Sequence, residues 1–443
     1  MTASAAAAAS SIRRQVILPF RRFFETASAG GAVLIAAAGF AFLWANSPWA
    51  PAYEAMKHAQ TTATIAGVGV DKSLAHWVND FLMALFFFVV GLEIKRELVA
   101  GELRGWSRAA LPVIGALGGM VGPALIYVMI AGSTAYAPGW GVPMATDIAF
   151  AVGVLALIGD RVPYGLKVFL LAFAIVDDLG AVIVIALFYT PDVAVLPLVI
   201  SLATCLLAAA YGRQGGGRPI VFVILGAIAW YAMLKSGVHA TIAGVLMAFT
   251  VPLRQVPDAA ALGEALTPRL SGSPERIEVE LHSLEALIEE RRSPLHNFEH
   301  KLQPYVAFLI MPIFALFNAG VNVTGGTLEI GIGTLAVFLG LLIGKPVGIV
   351  GAVMLGSWLK LYRLPPEMDL RALLGMGLLG GIGFTMSLFI ADLAFPDPVM
   401  LDEVKLGVLC ASVVAAFLGL AWLRWVLPAS PAALPDPEPS SVT

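Results

Sequence analysis

Two adjacent aspartates, Asp177 and Asp178, stand in the middle of an otherwise apolar run, LAFAIVDDLGAVIVIA. A third, Asp147, lies in VPMATDIAF, and one cation, Lys345, lies in LLIGKPVGIV. Ionisable side chains inside hydrocarbon are costly and mark routes for ions or protons. Three carboxylates and one ammonium at one depth can hardly face lipid, so they should converge. One Asp–Lys pair would satisfy a purely architectural cluster. Three carboxylates against one lysine leave negative charge over, which calls for a cation or protons. Neighbours on a helix point about 100° apart, so one aspartate can meet Lys345 while the other faces an aqueous cavity.

The elements that must carry these residues are apolar spans. Hydrophobic residues make up 59% of the 443 and charged residues only 13%, against about a quarter charged in soluble domains. Runs of about 20 apolar residues match a bilayer core of about 30 Å. The expectation is an all-α membrane protein of about twelve spans, near 27–46, 75–98, 109–130, 140–158, 166–189, 194–211, 219–235, 237–252, 304–322, 332–356, 370–393 and 403–427. With the N-terminus inside, 22 of the 27 Lys and Arg fall on the inner side and 4 on the outer. The positive-inside rule then places both termini in the cytoplasm. The formal net charge of −3 argues against a nucleic-acid partner. Cys205 and Cys410 each sit in an apolar run and read as small hydrophobes.

This divides the chain into a cytoplasmic N-terminal segment (1–26), a membrane domain (27–427) and a disordered cytoplasmic tail (428–443). Within the domain, 253–303 forms a long cytoplasmic loop, in which Ile277, Leu281, Leu284 and Ile288 recur at helical spacing. Residues 59–70 are β-branched and punctuated by glycine, as a small periplasmic hairpin would be. The fourth and eleventh spans are poor helices: Gly139, Gly141 and Pro143 precede Thr146–Asp147, and Gly377, Gly380, Gly381 and Gly383 interrupt GLLGGIGFTMS. Interrupted spans in corresponding positions point to a transporter's binding site, where helix ends and free carbonyls lie beside the ion.

Seven segments carry a resemblance: FFFVVGLEIKREL (86–98), MATDIAFAVGVLALIGDRVP (144–163), LKVFLLAFAIVDDLGAVIVIALFY (166–189), GVHATIAGV (237–245), PYVAFLIMPIFALFNAGV (304–321), GKPVGI (344–349) and GGIGFTMSLFIADLAF (380–395). The chain resembles the NhaA-type Na+/H+ antiporters. The broken-helix rule is itself drawn partly from that family, so agreement with it adds no independent support. The resemblance implies inverted repeats, with spans 4 and 11 unwound and crossing. It implies that Asp178 and Asp177 take Na+ (or Li+) and protons in alternation, Asp178 being the principal ligand of the transported metal ion. Thr146 and Asp147 would flank the crossing and share in cation and proton binding, and Lys345 would partner Asp177. It implies pH control at Glu93, Glu97, Glu299, His300 and His239. It also implies a homodimer built through residues 59–70, a bacterial inner-membrane location and no cofactor beyond the transported ions. Asn297 and Gln303 stand where the family usually has Arg and His, which bears on the pH profile and not on the ion pair.

The bland readings of the peripheral residues are simpler. Glu93 and Glu97 share a helix face, Arg96 can reach Glu93, and interfacial snorkelling accounts for such a helix end. His239 reads equally as a packing histidine. An intramembrane aspartyl protease would also use two aspartates, but from different helices and with a GxGD motif that is absent here. No enzyme is therefore expected. An organic-anion/Na+ symporter-like carrier on a related fold is the alternative. It would want an uncompensated cation in its cavity, whereas carboxylates outnumber Lys345.

Overall fold

The computed structural model describes residues 18–65, 68–190, 193–253, 293–323 and 331–428. The apolar segments fold as helices because a helix satisfies every backbone N–H and C=O within one segment, which hydrocarbon requires. In chain order they are α1 (Leu18–Ala45), α2 (Ala50–His58), α3 (Leu74–Ala100), α4 (Trp106–Ala131), a 3-10 segment (Ala137–Met144) leading into α5 (Ile148–Ala156), α6 (Tyr164–Phe188), α7 (Val195–Arg213), α8 (Pro219–Lys235) and α9 (Thr241–Thr250). They continue as α10 (Pro294–Asn318), α11 (Ile332–Trp358), α12 (Leu370–Gly380), α13 (Phe384–Ala394) and α14 (Pro398–Val426). Among the described residues eight helices are long and apolar enough to cross a membrane. Two bent pairs, the end of α1 with α2 (113°) and α12 with α13 (48°), and the shorter apolar α8 and α9 add to these. Large apolar side chains such as Leu125, Met129, Leu196 and Leu206 are exposed, as lipid-facing residues should be.

Between α2 and α3, strands β1 (Gln60–Ile65) and β2 (Val68–Ser73) pair antiparallel, with Gln60 opposite Ser73 and Ile65 opposite Val68. The hairpin thus runs three residues past the segment expected from sequence. Ser73 ends it and caps α3 by accepting from the His76 N–H. The α10 helix begins at Pro294, ten residues before the apolar run, because its first turns (PLHNFEHKLQ) are too polar for a hydropathy window to register. The amphipathic stretch 277–288, the rest of the loop over 254–292, residues 1–17 and the tail from 429 lie outside the described residues.

The chain forms two compact units. One comprises residues 84–96 and 192–305, and holds the middle of α3, all of α7, α8 and α9, and the start of α10. Its core gathers Leu92, Cys205, Phe222, Met247, Val251 and Leu295. Ser201 Oγ donates to the Ala229 carbonyl at 2.8 Å, joining α7 to α8. The Lys95 ammonium donates to the carbonyls of Phe249 (2.8 Å) and Val251. Those carbonyls are at the C-terminal end of α9, where a cation is favoured.

The other unit comprises residues 1–83, 97–191 and 306–443, and holds all four residues with which the sequence reading began. Its tightest helix contact is α4 on α11. A Cβ on Gly118 or Gly122 would collide with the carbonyl oxygen of Gly348 or Gly344, and one on Gly348 with that of Gly118. Only glycine lets two backbones come this close. Just before Lys345, α11 widens into a π turn (Gly340–Gly344), and the Lys345 N–H reaches back five residues to Gly340. Pro346 explains the widening: it has no N–H to give and its ring crowds the preceding turn.

Candidate cation-binding site

Two helix breaks face each other through hydrogen bonds. The first is residues 145–147, between the 3-10 segment and α5; the second is 381–383, between α12 and α13. Glycine and proline leave the first stretch without a regular ladder, and glycines do the same for the second. Asp147 then acts as N-cap of α5, its Oδ1 accepting the Phe150 N–H at 2.9 Å. Its Oδ2 accepts from the other break, from the Thr385 hydroxyl at 2.5 Å and the Thr385 N–H at 3.1 Å. The Asp147 N–H donates to the Ile382 carbonyl at 2.7 Å. Thr146 completes the lacing: its hydroxyl donates to the Gly380 carbonyl at 2.8 Å.

The aspartate pair is reached from the first break. The Thr146 N–H donates to Asp177 Oδ2 at 2.8 Å. Lys345 donates to the same oxygen at 2.7 Å and also to the Met144 carbonyl. The ammonium lies 5.8 Å from the centre of the Phe173 ring, within cation–π range. Asp177, Lys345, Thr146 and Thr385 are fully buried, and Asp147 and Asp178 nearly so. One oxygen of Asp177 is therefore saturated by two donors. The other, Oδ1, is buried with no hydrogen-bond partner among the described residues. An ionised oxygen held dry in this way is costly, and a hard cation, which takes oxygen ligands, or a proton would satisfy it.

Of the residues singled out from sequence, Asp147, Thr146, Asp177 and Lys345 form one bonded cluster, with Asp178 buried beside it on α6. Glu93, Glu299, His239 and His300 belong to the other unit and Glu97 to this one. Glu299 is buried and takes the Arg96 guanidinium, with His296 Nδ1 3.7 Å from its second oxygen. Glu93 is buried, His239 and Glu97 half-buried and His300 exposed. Glu97 accepts the Glu102 N–H at 2.9 Å.

Two things escaped the sequence reading. Thr385 is one; its signal was a hydroxyl two residues past Gly383, the counterpart of Thr146 at the first break. The other is that the list of ionisable residues inside spans was incomplete. Asp392 lies in α13, and Lys405 is buried in α14. Both stand within a few residues of span ends, where counting alone cannot separate a buried charge from a solvated one.

Residues 21–423 match the family model Na+/H+ antiporter 1. The chain is 45% identical over 423 residues to the Na+/H+ antiporter NhaA of Oleidesulfovibrio alaskensis, covering 92% of this chain and 94% of that protein. It is 47% identical over 407 residues to Na+/H+ antiporter NhaA 2 of Pseudomonas syringae pv. syringae, covering 91% and 94%. Over 432 residues it is 45% identical to the NhaA of Koribacter versatilis, covering 94% of each. The chain belongs to the Na+/H+ antiporter 1 family.

Proposed function

We propose that this chain exchanges cytoplasmic Na+ for external H+ across a bacterial inner membrane, with Asp177 and Asp178 as the shared site for both ions. The observation that carries the reading is the buried aspartate pair in which Asp177 already holds Lys345 on one oxygen and has the other open. In the empty or protonated state Lys345 balances Asp177. An arriving Na+ takes Asp178 and the open side of Asp177, competes with the ammonium for that charge and displaces protons. Asp147 belongs to the same cation- and proton-binding set, and its bonds to Phe150 and Thr385 hold the two breaks together. Thr146 keeps one edge of Asp177 oriented. The transported ions are substrates, and no resident cofactor is called for.

In this reading the chain crosses the bilayer twelve times. The eight long helices, α1, the pair α12–α13, and the short α8 and α9 supply the spans, and α2 lies at the surface. The hydrogen bonds between the two breaks support spans 4 and 11 crossing as halves of an inverted repeat. The Lys and Arg bias supports cytoplasmic termini, with residues 1–26 and 428–443 flanking the membrane domain. Among the described residues the sheet has only two strands, and an edge strand can pair with a strand of a second copy, which supports a homodimer through residues 59–70. Glu93, Glu97, Glu299, His300 and His239 would set the pH response, and the buried Glu299 carboxylate held between Arg96 and His296 supports that role.

The test is Na+-driven dequenching of a pH-sensitive dye in everted vesicles. Wild type is expected to respond to Na+ or Li+. Asp178→Asn keeps the shape and removes the charge, so it is expected to fold and to give no response. Full exchange by that variant would remove Asp178 from the site.

A further inference from the structure

Four polar side chains from four helices of one unit meet at a second place. Asn79 of α3 donates its amide to Asp392 Oδ2 on α13 at 2.7 Å. Asn318, the last residue of α10, donates to Asn79 Oδ1 at 2.9 Å and to the Phe314 carbonyl at 3.0 Å. Lys405 of α14 approaches Asp392 Oδ1 to 4.0 Å. Along α13, Asp392 is seven residues beyond Thr385, about 10 Å at 1.5 Å per residue. One short helix therefore joins this cluster at one end to the Asp147 break at the other.

Exposure differs within the cluster. Asn79, Asn318 and Lys405 are only 9%, 4% and 5% exposed, while the Asp392 side chain is 31% exposed. A cluster built only as a brace would be expected to shield its carboxylate and close the ion pair into a hydrogen bond. Here the carboxylate is the open member, and 4.0 Å exceeds hydrogen-bond length. Burying an ammonium with so loose a partner is costly. In the proposed topology the start of α3, the ends of α10 and α13 and the start of α14 all lie on the external side.

We infer that Asp392 is an outer station on the exchange path, a carboxylate that engages Na+ at the external face before or after the buried pair. Lys405 serves as its counter-charge when it is empty and keeps ion residence short. The assignment rests on the exchange reading and on the orientation proposed above.

The experiment compares the apparent KM for Na+ at the two faces of the full chain, in right-side-out and in everted vesicles. Asp392→Asn is expected to raise the external value about tenfold, the scale of one lost charge-assisted contact. The cytoplasmic value should stay within about twofold, and Asp392→Glu should restore the external one. Lys405→Gln carries an expectation of opposite sign, a lower external KM, and decides the matter should Asp392→Asn not fold. Equal shifts at both faces, or none at either, would reduce the cluster to a brace and overturn the assignment. Wild-type vesicles without any exchange would instead bring down the exchange reading, and this inference with it.

Discussion

Lys345 donates to Asp177 at 2.7 Å inside a fully buried pocket, so its removal strands a carboxylate. Lys345→Ala is expected to cost about 3–5 kcal/mol, the range for breaking a buried pair from one side. Lys345→Arg should keep most of that stability, since a cation remains, but the rigid planar guanidinium cannot release its proton and fits the Met144 carbonyl differently. The expected order of melting temperature is wild type, then Arg, then Ala, measured in detergent, with exchange falling in the same order. An Ala variant that melts like wild type and exchanges fully would make the lysine a bystander. At this scale much was legible from sequence, because a charge within twenty apolar residues has few explanations. Asp177, Asp178, Asp147 and Lys345 announced themselves that way. Thr385 did not, because a hydroxyl costs little in a helix and its worth depends on which acceptor the fold brings to it. Arg96 also takes Glu299, about two hundred residues away in sequence, a partner that local helical spacing could not offer.

The contact of α4 with α11 fixes where Lys345 sits. Gly348→Val places a side chain against the backbone of Gly118, and neither helix can yield without moving its neighbours. The expected loss is about 1–3 kcal/mol, as for overpacking elsewhere, with exchange reduced because α11 carries the lysine. Gly351 on the same helix is the control: a Cβ there meets nothing within 4 Å. Gly351→Ala is expected to be neutral or mildly stabilising, by up to about 1 kcal/mol. Thermal melts of the two variants check both statements, and melting temperatures unchanged or raised in both would mean that helix propensity, not contact, sets the outcome. Helices were legible as apolar runs and breaks as clusters of glycine and proline. Helix ends were less so. The polar first turns of α10 hid ten residues of helix, and the hairpin continued to Ser73 because pairing register, not β-propensity, decides where it stops.

Across the whole molecule, the shared site makes a linked prediction. If protons must leave the aspartates before Na+ binds, apparent Na+ affinity should rise with pH, by up to about tenfold per pH unit for one proton released. Calorimetric titrations in buffers of different ionisation enthalpy should register that release, and pH-independent affinity with no proton release would refute competition for one site. The division into two units was not visible in the sequence, because residues 84–96 belong with 192–305 although the stretches on either side of them in the chain do not. That division has a consequence for how the protein is made. Leu92 is fully buried in a core it shares with Cys205, Phe222 and Met247, and Lys95 needs the carbonyls of Phe249 and Val251. Synthesis at about 5–20 residues per second brings these partners out roughly 5–30 seconds after residues 84–96. For that interval the core face of α3 and the Lys95 ammonium lack the partners they have in the folded protein. Biogenesis, more than the stability of the finished fold, is then the step at which substitutions between Ala84 and Arg96 should be felt first.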